Sequence, residues 1–405
     1  MAYGDSQIVQ LDRPGTDAMP WAQDVFGNEN GKIKHLWLLG SAYNRSLIRV
    51  NEGLSPVYIR DYIGDWHLTE VGTPTISARS VNAGPNAGVA DSGLITPHTL
   101  SELVQDANGT IATYAYNRLT ITVSPANIAN NDTITITPVG GAPAVITFKT
   151  SGAVQASYQV NIGTALSMLN AVAAILDAYP TVFGCRGEAF TVTGSTAFID
   201  LWSLTEGPAQ NAIAVAISLS CTTKTLLGAT FNGGGDPAAT YLAVLKAGAN
   251  GDVCAGGFFS SAGNQRWGFT HWEDAPGATA RGMVGYCVNA GQSNVPVVAG
   301  ESGQEGTNWV CGILTTRKDL TRMWRMRSGA APTFTDVSTG ISLPVQATDY
   351  FRVLHPIGTS MLSVGGRKGD CPLEALGQGF GTLRDVTTWR ADMNANLLTG
   401  LGMTV

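Results

Sequence analysis

The sequence predicts a mostly β protein, a β-sandwich or jelly roll into which a small α+β unit is inserted. Three observations carry that expectation. Past Asp236 the chain is strand after strand, near 241–246, 256–260, 267–272, 283–289, 309–315, 321–327, 350–355 and 382–389, with Gly-, Asn-, Asp- or Pro-bearing turns between. Between Arg118 and Ser220 the texture shifts to strict alternation, as in Thr133-Ile-Thr-Ile-Thr137, and includes the clearest helical period of the chain at 164–179. The 405 residues are 44% apolar and only 13% charged, with 49 glycines, which excludes a coiled coil, a polybasic arm or a disordered polar tail.

In chain order, residues 1–30 are broken by Pro14, Gly15, Pro20, Gly27 and Asn28 and read as an arm docked on a neighbouring subunit. Strand-like runs follow at 35–39, 46–50, 58–63 and 66–69. Residues 96–104 read as one short helix, capped by Thr96 with Pro97 as its first residue. Residues 31–116 thus form the first part of the sandwich. Segments 119–123, 133–137 and 144–148, the helix, and segments 189–193, 197–203 and 212–220 form a β-β-α-β-β unit over 117–237. Leu166, Leu169, Val172 and Leu176 put one apolar face on the helix, and Pro180 stops it, so it should lie on one face of a small antiparallel sheet. Asn232-Gly233-Gly234-Gly235-Asp236-Pro237 marks the boundary, after which 238–405 completes the sandwich and ends in a short helix at 391–398.

Several function classes are disfavoured. A formal net charge of −6 argues against a nucleic-acid binder, which needs a basic surface. No run of about 18 apolar residues occurs, so no membrane insertion is expected. Met1-Ala-Tyr-Gly-Asp-Ser-Gln7 lacks the basic-then-apolar order of a secretory signal. Cys185, Cys221, Cys254, Cys287, Cys311 and Cys371 are widely spaced, with no C-x-x-C pair, and read as reduced and mostly buried.

Leu36-Trp37-Leu38-Leu39, Gly64-Asp65-Trp66-His67-Leu68-Thr69, Gly257-Phe258-Phe259-Ser260-Ser261, Arg266-Trp267-Gly268-Phe269 and Gly379-Phe380-Gly381-Thr382-Leu383 stand where a concanavalin A-like (laminin G-like) jelly roll has its strands. The segments 30–105 and 238–405 together resemble that fold. Asn131-Asp132-Thr133-Ile134-Thr135-Ile136, Gly207-Pro208-Ala209-Gln210-Asn211 and the triple Gly233-Gly234-Gly235 before Asp236 resemble a small module recurrent in structural proteins of tailed bacteriophages, with Pro208 departing from its usual small residue. The resemblance implies a non-enzymatic virion protein, made in the host cytoplasm. It would act as a tail, fibre or capsid-surface component by contacts with copies of itself and neighbouring virion proteins. The alternative is a receptor- or glycan-binding module on the same particle, with a host-surface glycan as partner.

The residues give little catalytic chemistry. Glu273-Asp274 are adjacent and in a strand would point to opposite faces, whereas a retaining glycosidase needs two acids about 5 Å apart on one side. Glu301 and Glu305 lie among glycines and read as a loop. The histidines His35, His67, His98, His271 and His355 are scattered, and Asp61, Asp65 and Asp252 lack the spacing of a calcium loop. No cofactor and no metal are expected. The candidate ligand contacts are Trp272 with His271, whose rings could meet a sugar, and the basic run Arg322, Arg325 and Arg327, preceded by Arg317 and Lys318, which suits an anionic glycan or an acidic neighbour and otherwise reads as a solvated strand face.

Overall fold

A computed structural model describes residues 33–38, 58–59, 61, 64–71, 75–76, 81–82, 93–105, 108–111, 113–123, 127–221, 223–247, 253–259, 266–273, 281–288, 295–298, 310–327, 333–337, 343, 345, 351–353 and 369–378. The expected arm 1–30, the strand at 382–389 and the helix at 391–398 lie outside them. The described residues form two compact units, Thr110–Pro237 and the chain on either side of it.

The flanking unit is a sandwich of two antiparallel sheets, with strands numbered in chain order. One sheet runs β1 (Ile33–Leu38), β24 (Gly369–Gln378), β15 (Ala239–Ala247), β20 (Val310–Arg317), β21 (Leu320–Arg327), β22 (Thr333–Val337). The other runs β19 (Val295–Val298), β18 (Arg281–Val288), β17 (Arg266–Glu273), β16 (Val253–Phe259), β23 (Phe351–Val353), β6 (Gly93–Thr96), β3 (Leu68–Val71), β2 (Tyr58–Ile59). A small pair, β4 (Thr75–Ile76) and β5 (Val81–Asn82), accompanies them. This is the mostly β jelly-roll sandwich that the strand spacing predicts. Trp37, Tyr241, Phe258, Trp267 and Phe351 are all buried in its core, Phe351 lying 5.1 Å from Trp37 and 5.2 Å from Phe258 between ring centroids. Burying each such side chain is worth about 1.5–3 kcal/mol. The indole Nε1 of Trp267 donates to Thr316 Oγ1 at 3.0 Å and ties β17 of one sheet to β20 of the other.

The placement of β24 differs from the sequence reading. It lies between β1 and β15, although Pro372 and flanking glycines hide it from any strand pattern. The proline is tolerated because the ladder is broken there. The register with β15 shifts between Val244, opposite Leu373, and Lys246, opposite Asp370, and a residue at such a bulge need not donate to the ladder. A second difference concerns the short helix. Thr96 is the last residue of β6, paired with Phe351, so it is not the cap. The helix α1 (Leu100–Val104) is capped by Thr99 in a capping box with Glu102.

The inserted unit also corrects the sequence reading. In place of one small sheet there are eight strands in two. One sheet has the order β11 (Cys185–Thr193), β12 (Thr196–Glu206), β7 (Tyr114–Thr122), β14 (Thr223–Leu226). The other runs β10 (Gln159–Asn161), β9 (Ala144–Lys149), β8 (Thr133–Thr137), β13 (Ala214–Ser218), with β10 and β9 parallel. The three-residue β10 and the exposed β14 carry too little apolar alternation to be seen in sequence. The predicted helix is present as α2 (Ala165–Ala178), its Thr164 side chain accepting from Ser167 N, followed by α3 (Pro180–Phe183). Its buried face, Met168, Leu169, Val172, Ile175 and Leu176, shares one core with Leu119 and Ile199 of the first sheet and Ile136 and Phe148 of the second.

The glycine-rich run that resembles the phage module is a structural clasp. Thr113 Oγ1 lies 2.8 Å from Gly233 O and accepts from Gly235 N, while Asn211 bonds both the N–H and the carbonyl of Gly234. The two ends of the unit are thereby joined. Gly234 has no room for a side chain, since a Cβ there would stand 2.4 Å from Gly207 O and 2.9 Å from Asn211 Oδ1.

Candidate functional site

The densest group of polar and aromatic side chains among the described residues surrounds Asp61 in the sandwich. Asp61 is buried, and four donors converge on its carboxylate. Leu36 N and Gly64 N reach Oδ1 at 3.0 Å each; His35 Nδ1 at 2.6 Å and Trp66 N at 3.1 Å reach Oδ2. The main-chain N–H of Asp61 in turn donates to His67 Nδ1 at 3.1 Å. Gly64 must be glycine, because a Cβ would meet His35 Nδ1 at 2.6 Å and Lys34 O at 2.7 Å. Burial alone would raise the Asp61 pKa, but the hydrogen bond and charge of His35, with the N–H groups of Leu36 and Gly64, outweigh it and hold the carboxyl below its ordinary 3.8.

Above this carboxylate three rings form a column. His35 stacks on Trp66 at 3.9 Å, and Trp66 stacks on His98 at 4.6 Å, nearly parallel. His98 is the outer, partly exposed ring, its Nδ1 3.5 Å from Glu102 Oε2. Nearby, Lys34 Nζ donates to the carbonyls of Leu103 and Gln105, closing the C-terminal end of α1. With four donors on its oxygens, Asp61 acts as a tie between β1 and the main chain of Gly64 and Trp66, not as a base or a cation ligand. Among the described residues, no three His, Cys, Asp or Glu side chains gather as metal ligands.

Two further carboxylates are engaged in the inserted unit. Asp200, fully buried, accepts from Arg118 Nε at 2.7 Å, Arg118 Nη2 at 3.2 Å and the Tyr116 hydroxyl at 3.0 Å, and the guanidinium lies 4.0 Å over the Phe198 ring. Asp132 accepts from Ala129 N, Ser220 N and Ser220 Oγ, pinning the turn before β8 to the chain after β13. Sequence reasoning missed all three ties, because each joins residues with no local motif.

The sequence-predicted contacts fall on different sheets. His271 and Trp272 are consecutive on β17, hence on opposite faces; His271 stands opposite Val253 and Met283, and Trp272 opposite Gly282. Arg322, Arg325 and Arg327 lie on β21 of the other sheet. Arg322 is aligned with Thr315 on one side and Asp336 on the other, and Arg325 and Arg327 follow at odd offsets, so the pleat does not gather the three on one face. The expected solvated basic face does not hold at Arg317 and Arg322, each 3% exposed. Glu273 ends β17, while Asp274, Glu301 and Glu305 lie outside the described residues.

No protein-family model matches the sequence, and no curated protein matches it. Similar solved structures include the CBM40 module of a Ruminococcus gnavus IT-sialidase bound to α2,3-sialyllactose, 12% identical over 36% of this chain and 79% of that one, with a TM-score of 0.27. The NanB sialidase of Streptococcus pneumoniae is 11% identical over 38% of this chain and 23% of its own, with a TM-score of 0.26. A xylan β-1,4-xylosidase of Bacillus halodurans is 10% identical over 37% and 29%, with a TM-score of 0.25. The chain spans less than a third of the length of the sialidase and of the xylosidase.

Proposed function

We propose that this protein is a non-catalytic glycan-contacting module carried on a tailed-phage particle, with Trp272 as the stacking residue. The observation that carries the reading is the register of β17 against β18. A ring that stacks on a sugar needs an uncovered face, and the residue across from Trp272 is Gly282, which has no side chain to cover it.

The test is retention of neutral and anionic oligosaccharides on an array by the purified full chain. Wild type is expected to bind, and Trp272→Ala to lose at least tenfold in affinity with an unchanged melting temperature. A wild-type protein that retains no glycan refutes the reading.

Subunit assembly is a second reading, favoured by a separate observation. Val139, Val145, Val154, Val182 and Val192 of the inserted unit are 38–54% exposed in a chain with few charges. Locating the protein in intact particles by symmetry-resolved imaging tests it; absence from the particle refutes it.

A further inference from the structure

We infer that the outer edge of β11 in the inserted unit is a self-association surface, occupied by β11 of a second copy in an antiparallel pair centred on Gly187. Among the described residues β11 is the longest strand at a sheet edge, nine residues at the end of its sheet. Its hydrogen-bonding phase follows from the ladder. Tyr116 exchanges main-chain bonds with Asn232, and the Arg118 carbonyl accepts from Leu227 N, so the even residues of β7 face away from β12. Asn117, Leu119 and Ile121 therefore bond Leu201, Ile199 and Ala197 of β12. Trp202, Asp200 and Phe198 in turn bond Arg186, Glu188 and Phe190 of β11. The main-chain N–H and C=O groups of Cys185, Gly187, Ala189 and Thr191 are left to the outer edge. Such an edge is a template for another strand. It is regular as far as Thr191, where the register with β12 shifts.

Charge selects both the occupant and the register. Arg186, exposed, and Glu188, half-buried, flank Gly187 on the face of the sheet opposite the core, since Cys185 and Ala189 point into the core. In a two-fold pair centred on Gly187, Arg186 of each copy stands opposite Glu188 of the other. These are non-hydrogen-bonded positions, where facing side chains come closest. The odd residues meet as Gly187 with Gly187 and Cys185 with Ala189, and exchange about six main-chain hydrogen bonds. A pair centred on Glu188 would set like charges against each other. One centred on Ala189 would leave Arg186 and Glu188 opposite Val192 and Phe190. The strand that complements Arg-Gly-Glu in antiparallel pairing is itself Arg-x-Glu, so a second copy carries the matching order. A two-fold contact requires that self-complementarity. Asp177, the exposed acid in the last turn of α2, belongs to the other side of the sheet, where Leu176 of the same helix reaches Gly187, and does not face these pairs.

The proposal rests on the assembly reading, to which it gives a surface, and is independent of Trp272. It is tested by sedimentation equilibrium of the full chain from about 1 to 100 μM. Wild type is expected to dimerise. Arg186→Glu and Glu188→Arg, each of which sets like charges together across the edge, should weaken association by about tenfold or more. An equimolar mixture of the two variants should associate again, because the unlike pairs are restored between them, and so should the double charge swap. Ala189→Pro removes an outward N–H and none of the bonds to β12, and should abolish the dimer. Matching circular dichroism and melting of the variants shows that folding is intact. A wild type that stays monomeric at about 100 μM, a mixture of folded reversals that stays monomeric, or association that survives Ala189→Pro overturns the proposal. Association that survives every variant, in a protein found in particles, overturns this edge and keeps the assembly reading. A dimer through β11 in a protein absent from particles keeps the edge and removes that reading.

Discussion

Asp61 illustrates how one side chain settles a local structure. Its carboxylate accepts from Leu36 N, Gly64 N and Trp66 N and also bonds the His35 ring, which stacks on the Trp66 indole. Replacing it by Asn leaves at least one of those donors facing an NH₂ group, a loss of about 1–3 kcal/mol. We expect Asp61→Asn to lower the unfolding free energy, read from urea denaturation, by that amount at pH 7. The pH dependence has a defined sign. The folded-state pKa is depressed, so the stabilisation is fully present above the unfolded value of about 3.9 and is lost as pH falls through the lower folded value. Wild type should therefore lose stability steeply below pH 4, and the Asn variant less so; parallel curves for the two would refute the assignment. In the sequence Asp61 stood out only as an acid near Asp65 without the spacing of a calcium loop, and its structural role was hidden because its partners lie on β1 and at Gly64 and Trp66, which no motif links.

At the scale of elements, the helix and most strands were legible and the clasp was half legible. The apolar stripe of α2 and its Thr164 cap are local in sequence, so periodicity was enough to place it within a residue of its ends. The Gly233-Gly234-Gly235 run was visible as a breaker and as a resemblance, but its purpose was not, since its partners Thr113 and Asn211 lie about 120 and 23 positions away. Gly234→Ala is expected to cost about 1–3 kcal/mol, since the methyl must displace the main-chain oxygen of Gly207. Gly194→Ala, where a Cβ meets nothing within 4 Å, should stay within about 0.5 kcal/mol. Chemical denaturation of the two variants decides this; equal effects would mean that the close approach carries no weight.

For the whole molecule, the two units have separate cores, and buried thiols report on each. Cys185 and Cys221 lie in the single core of the inserted unit and Cys287 in the sandwich, all at most 2% exposed. Burial raises all three thiols, Cys287 to about 12, so none is a thiolate at neutral pH. Alkylation under native conditions should be slow at these sites. With rising urea Cys185 and Cys221 should become reactive at one shared midpoint, read by peptide mass spectrometry; two midpoints would show that the inserted unit has no common core. The sequence by itself determined the mostly β class, the interruption by an α+β segment and the positions of α2 and most strands, because alternation, helical period and capping depend on neighbours in the chain. Only the tertiary structure decided that β24 enters between β1 and β15, that the insertion has two sheets and that Arg317 and Arg322 are buried. Those outcomes depend on which distant residues are brought together, and strand pairing and burial are set by packing across the core, not by local pattern.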